Sequence, residues 1–190
     1  MLLWTFLAVA AATVVYAIVV YNGLVHMRQM ANEAWSGIDV QLKRRSDLVP
    51  NLVDSVKGYA SHERSVLEDV TQKRGAASAL PQGEVAARAQ AEGALSAALG
   101  RLFALAENYP DLKASANFLA LQQQLSGLED ELQMARRYYN GAVRNLNVLV
   151  QSFPSNLIAG LFDFGPREYF ELSDAGEGAV PRVDLAPAPR

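Results

Sequence analysis

From Phe118 to Phe153 the chain places an apolar or small side chain at every third or fourth position without a break. The run reads Phe118, Leu121, Leu125, Leu128, Leu132, Ala135, Tyr139, Ala142, Leu146, Leu149 and Phe153. This is the period of one face of an α-helix. With its flanks, roughly forty residues at ~1.5 Å each predict a rod about 60 Å long. An apolar stripe of that length cannot stay in water, so the rod must pack against other helices. An all-α antiparallel bundle of long helices is the expected fold.

The N-terminus sets a second constraint. Leu2 to Val20 carries no charge, and only Thr5 and Thr13 are clearly polar. Nineteen such residues as a helix rise ~28 Å, close to the ~30 Å hydrocarbon core of a bilayer. Trp4 and Tyr21 stand near the two ends, where amphipathic rings favour the lipid–water boundary. A cleaved signal peptide would want a positive n-region and a small-residue cleavage site. No lysine or arginine precedes the run, and the polar sequence after it continues a helical pattern, so an uncleaved anchor is expected. The basic residues Arg28, Lys43, Arg44 and Arg45 all follow the span. By the positive-inside rule they place the N-terminus outside and the body in the cytoplasm.

After the anchor the helical spacing resumes in Ala31, Trp35, Ile38, Leu42, Arg45, Val49, Leu52, Val56 and Tyr59. It continues through Glu63, Val66 and Val70, a coiled-coil-like seam. The register carries across Pro50, which predicts one long rod bent near Leu48 to Pro50, or a helix restarted from Ser46 or Asp47. Arg74 to Gly83 reads as a turn. An alanine-rich helix follows from about Glu84 to Glu107, ended by Asn108-Tyr109-Pro110. Past Phe153 an aromatic cluster broken by Pro and Gly extends to Phe170, suited to capping the bundle or to meeting a membrane or partner. The expected organisation is an anchor at 1–22, a helical body at 23–172 and a flexible or extended tail at 173–190, in which Val183-Asp184-Leu185 could dock.

The candidates for chemistry are few. With no cysteine, thiolate metal sites and disulfides are excluded, and His26 and His62 are too few for an ordinary histidine-based metal site. His62-Glu63 begins like a zinc-protease box, but position 66 is Val where the second histidine belongs. Glu129, Asp130 and Glu131 are sequential and point around the helix without converging. The formal net charge of −3 is spread along the chain, unlike the concentrated basic face of a nucleic-acid binder. Arg45 and Glu63 fall on the apolar seam, so each needs an opposite charge from another helix. Arg136 is the expected mate for Glu63, and Glu129 or Glu107 for Arg45, with helix register as the role. Tyr139, Asn140 and Asn147 read as a polar cluster for hydrogen bonds between helices or to the tail. No catalytic residue, cofactor, metal or small-molecule substrate is expected.

Ala34-Trp35, Gln41-Leu42-Lys43-Arg44-Arg45, Asp47-Leu48 and Pro50-Asn51-Leu52 resemble the signature of the LemA family. So do Glu107-Asn108-Tyr109-Pro110, Ala135-Arg136, Tyr139-Asn140, Phe153-Pro154 and Tyr169-Phe170-Glu171. These blocks run in order over nearly the whole chain; Leu185 stands where an aromatic would be expected. The resemblance implies a bacterial protein with one N-terminal span and a helical-bundle body, and no established activity. A magnetosome-associated branch of the family hints at membrane organisation. The expected function is therefore a non-enzymatic scaffold or interaction protein held in the bilayer through residues 2–20. Self-association and a membrane-protein partner, such as a protease it regulates, are both open.

Overall fold

The computed structural model describes residues 1–60, 62–81 and 83–171. The tail expected at 173–190, with Val183-Asp184-Leu185, lies outside the described residues. Among those described, every regular element is a helix: α1 (Leu2–Lys57), α2 (Arg64–Ala79), α3 (Val85–Ala106), α4 (Pro110–Lys113), α5 (Ala116–Gln151) and α6 (Ser155–Leu161).

α1 is a single helix of 56 residues, about 84 Å at 1.5 Å per residue. Its first third is bare: from Leu2 to Val19 every residue except Ala17 is exposed. Burial begins at Val20 and Leu24 and recurs at Ala31, Ala34, Ile38, Leu42, Arg45, Val49, Leu52 and Val56. α1 thus runs through position 22 without a break, and the segment expected as an anchor and the first helix of the body are one element.

Four helices build the body in alternating directions. Leu67 and Val70 share a cluster with Val49, Leu52 and Val56, while further along α2 Arg74 Nε donates to the Ser46 carbonyl at 2.8 Å and Ser78 meets the Ser46 hydroxyl at 3.0 Å, so α2 is antiparallel to α1. Arg88 pairs with Asp39 at 3.5 Å and Arg45 with Glu92, so α3 runs back alongside α1. α5 descends again, with Arg45 on Glu129 at 2.5 Å and the Trp35 and Tyr139 rings 5.4 Å apart. Along α5 the buried Phe118, Leu125, Leu132, Tyr139 and Leu146 recur every seventh residue, the spacing of a helix packing seam.

Two expectations need correction. The seam from Ala31 to Val70 is not one rod: α1 stops at Lys57, the chain has reversed by the start of α2 at Arg64, and α2 carries Leu67 and Val70 into the same core from the other side. Two antiparallel helices facing one core share a 3–4 period, so the stripe alone does not show the reversal. The segment 74–83 is not a turn throughout. It stays helical to Ala79 and buries Ala77 against its neighbours; Leu80, Pro81 and Gly83 lie outside a helix. Across Pro50 the helix continues as the register implies: α1 remains helical through it to Lys57, and no helix restarts at Ser46 or Asp47.

After α6 the chain turns at Asp163, whose φ of 57° is left-handed, and Phe164 and Phe170 enter the core. The stretch 164–171 then lies along α5 as a strap held by two asparagines. Asn147 accepts from the Arg167 N–H at 2.8 Å and donates to the Arg167 carbonyl at 2.9 Å. Asn140 does the same for Phe170, at 2.9 and 3.2 Å. The spacing explains the fit. Seven helical residues rise about 10.5 Å, and three extended residues span about 10 Å. Tyr139 adds a bond from its hydroxyl to the Glu168 carbonyl at 3.0 Å. Burial raises the Tyr139 pKa above its ordinary value; Arg167 opposes this and Glu168 adds to it, so the phenol keeps the proton it donates.

The clamp predicts a proteolysis phenotype. Asn147→Ala removes two hydrogen bonds worth about 0.5–1.5 kcal/mol each. Trypsin cleavage after Arg167 should then accelerate about tenfold, 1.4 kcal/mol being a factor of ten. An unchanged cleavage rate would contradict the strap.

Candidate functional site

The apolar core is not continuous along the body. One cluster, at the end away from the bare helix, joins Val49, Leu52 and Val56 to Leu95, Leu102, Phe118 and Leu125. A second joins Ala31, Ile38 and Leu42 to Ala89, Leu132 and Tyr139. Between them, at one height, α1, α3 and α5 contribute Arg45, Glu92 with Ser96, and Glu129. Each sits in the gap that its own helix's apolar stripe leaves between the clusters.

Arg45 is 1% exposed and Glu92 2%. One terminal nitrogen of Arg45 donates to Ser96 Oγ at 2.8 Å and to Glu129 Oε1 at 2.5 Å. The other donates to the Glu92 carboxylate and, at 3.2 Å, to the Glu92 carbonyl. Glu92 is also held by Arg88 Nε at 3.3 Å, and Arg88 reaches Asp39 on α1 and the Leu80 carbonyl. The chain of charges therefore runs Asp39, Arg88, Glu92, Arg45, Glu129. Burial on its own would lower the Arg45 pKa. The Glu129 and Glu92 carboxylates more than offset that, by charge and then by hydrogen bond, and hold it above the ordinary guanidinium value. Arg45 is thus a fixed cation tied to three helices, an arrangement suited to holding register and not to moving protons.

Of the carboxylates considered for Arg45, Glu129 reaches it. Glu107 does not; it pairs at the surface with Lys113. Glu63 and Arg136 do not meet. Glu63 sits at the start of α2 because α1 ended before it, and its carboxylate accepts from the Tyr109 hydroxyl at 3.5 Å. Arg136 donates to Gln133 at 3.1 Å, and its guanidinium lies 5.9 Å from the Phe170 ring centroid. Glu92 was missed, although a signal existed. The stripe Leu95, Leu99, Leu102, Ala106 extends backward by the same spacing to position 92. Trp4 is exposed on the bare helix, while Tyr21 packs edge-on against Phe162 and Phe164 at 4.8 and 5.8 Å.

A cleft of about 750 Å³ opens beside the start of α3 and is lined by Asn32, Trp35, Ser36, Glu84, Tyr139 and Arg167 among others. Its titratable groups are of mixed sign, and Tyr139 is already committed to the strap. Among the described residues, no three His, Asp or Glu side chains lie close enough to hold a metal ion.

Arg45→Met tests the buried layer. It leaves Glu92 without its main counter-charge and should destabilise the protein by about 3–5 kcal/mol in urea unfolding followed by circular dichroism. Adding Glu92→Leu should recover part of that loss. A single variant as stable as the parent would contradict a buried, charge-paired Arg45.

Relatives of two kinds resemble this chain in sequence. Magnetosome protein MamQ 2 of Paramagnetospirillum magneticum is 28% identical over 184 residues, covering 84% of this chain and 68% of its own. Magnetosome protein MamQ of Magnetospirillum gryphiswaldense is 27% identical with the same coverage. Protein LemA of Metamycoplasma hominis is 28% identical over 164 residues, 86% of this chain and 72% of its own. The LemA family pattern matches residues 34–185, from just before Trp35 through the body and beyond the strap. The chain belongs to the LemA family.

Proposed function

We propose that this protein is a non-enzymatic, membrane-tethered scaffold that presents its helical body to partners or to copies of itself. The observation that carries the reading is the continuity of α1. An uncharged helix long enough to cross a bilayer passes directly into a four-helix body, with no linker between them. Such a rod fixes the height and tilt of the body relative to the membrane. The buried charges of that body are engaged with one another, which favours a structural use over catalysis. The basic residues Arg28, Lys43, Arg44 and Arg45 on the body side support a cytoplasmic body and an outside N-terminus in the bacterial inner membrane. The magnetosome relatives support a part in membrane or envelope organisation.

An adaptor for a neighbouring membrane enzyme, such as a protease, is the second reading. It draws on Val40 and Met134, both about half exposed, which the antiparallel register sets at one height on α1 and α5. Light scattering on the full-length detergent-solubilised particle, corrected for bound detergent, separates the two. A large, discrete multiple of the 20.6 kDa chain mass is the expected result. A single chain mass would contradict the self-assembling scaffold and favour the adaptor.

A further inference from the structure

The α5–α6 corner divides its apolar residues into two sets. Ala159 and Phe164 are buried with Val20, Leu24, Leu146 and Val150 in a third cluster at the base of the body. Ser155 is buried too, its hydroxyl tied to the Leu149 carbonyl at 2.6 Å and the Ser152 carbonyl at 2.9 Å, which pins the start of α6. The other set faces away from the protein. Phe153 is 80% exposed, Leu157 62%, Leu161 74% and Phe162 50%. On α6, Ser155 and Ala159 are one helical turn apart on the inner side, and Leu157 and Leu161 are one turn apart on the outer side.

The height of this corner follows from helix register. Arg45 meets Glu129, and ten residues on, in opposite directions, Trp35 meets Tyr139. Carried fourteen residues further, the same register sets Phe153 level with Tyr21. The Phe162 ring lies 4.8 Å from the Tyr21 ring, so the far side of the corner is at that height as well. Tyr21 directly follows the uncharged run Leu2–Val20. Because α1 is unbroken there, a bilayer that accepts the run must end at the corner. Arg28, seven residues past Tyr21 and so about 10 Å above it, stands 4.7 Å over the Phe164 ring. It places a cation just above the corner, where anionic headgroups lie.

We infer that Phe153, Leu157, Leu161 and Phe162 form a second membrane contact, a hydrophobic foot that enters the lipid interface beside the spanning helix. The inference rests on the anchored reading proposed above. It separates a cap from a foot within one segment: Phe164 and Phe170 close the bundle, and the four exposed residues meet lipid. Two attachments at one level hold the body upright, since a lone helix could tilt or rotate about its axis. The occupant is the bilayer and not a second chain, because the exposed face continues the lipid-facing surface of α1 at the height where that surface ends.

The absence of native cysteine makes the test direct. Full-length protein carrying Leu157→Cys or Leu161→Cys is labelled with an environment-sensitive fluorophore and reconstituted in phosphatidylcholine–phosphatidylglycerol vesicles. Both positions are exposed, so labelling leaves the core intact. Val9→Cys reports the spanning helix, and Gln124→Cys, exposed on α5 far from the base, reports the aqueous side. The foot predicts blue-shifted emission at 157 and 161, quenching by lipids that bear a shallow nitroxide, and loss of quenching by aqueous iodide. Iodide quenching like that at 124 would overturn it. Protection from iodide without lipid quenching would also overturn it, showing that protein covers the face. If the label at position 9 escapes quenching by lipids that bear a deep nitroxide, the anchored reading fails and the foot fails with it.

Discussion

The buried guanidinium of Arg45 is the interaction on which the body's geometry depends. Apolar seams tolerate sliding by a turn, because one leucine replaces another at little cost. A cation taken out of water has no such freedom. It must meet its carboxylates, and here they come from α3 and α5 at the height where α1 presents it. The apolar clusters above and below supply the drive to associate, while the polar layer between them selects a single register. Such a layer need not raise stability, since an apolar replacement of all its members can match it. Its contribution is specificity: one arrangement satisfies every charge, and a one-turn slip strands Arg45 against apolar side chains.

Register set at mid-body has consequences at both ends. Toward the N-terminus it brings the foot of α5 and α6 level with the end of the uncharged run on α1. Toward the other end it lets the α2–α3 hairpin close over Val49, Leu52 and Val56. The asparagine clamps then hold the strap against α5, so the base and the upper body are joined by a segment that is itself irregular. Asn140 and Asn147 succeed because two helical turns match three extended residues in length. A strap offset by one residue would lose all four of the asparagine bonds.

What could be read from the residues, and what could not, divides along physical lines. α5 was legible because its stripe is uninterrupted and stays buried or half-buried from Phe118 to Leu149; the last member, Phe153, lies past the helix and is exposed. The bare helix was legible because nineteen residues without a charge have few other fates. The end of α1 was not, because periodicity reports which face is buried and is blind to a reversal between helices that bury the same face. The helical course of 74–79 was hidden by Gly75 and small residues, whose local preference yields to the packing of Ala77. At the site, Arg45 announced itself as a charge on an apolar stripe, and Glu129 as one of two carboxylates considered for it. Glu92 was masked by its alanine-rich surroundings, where small side chains leave the buried face of α3 weakly marked. Glu63 was misread for the same reason as the end of α1: its seam position belongs to a rod that has already ended.

The central claim is that the Arg45 layer sets how α1 and α5 stand against each other along their length. Pulsed electron paramagnetic resonance between labels at Lys43→Cys and Gln151→Cys, in full-length protein in lipid nanodiscs, measures that directly. The register places these exposed positions about 30 Å apart along the bundle axis, at 1.5 Å per residue. The account predicts one narrow distance in the parent. With Arg45→Met, Glu92→Leu and Glu129→Leu combined, so that no buried charge is left unpaired, it predicts a second population displaced by about one helical turn, ~5 Å. The same narrow distance in both proteins would mean that the apolar seams alone determine the register, and that the buried charges are not what holds the bundle in place.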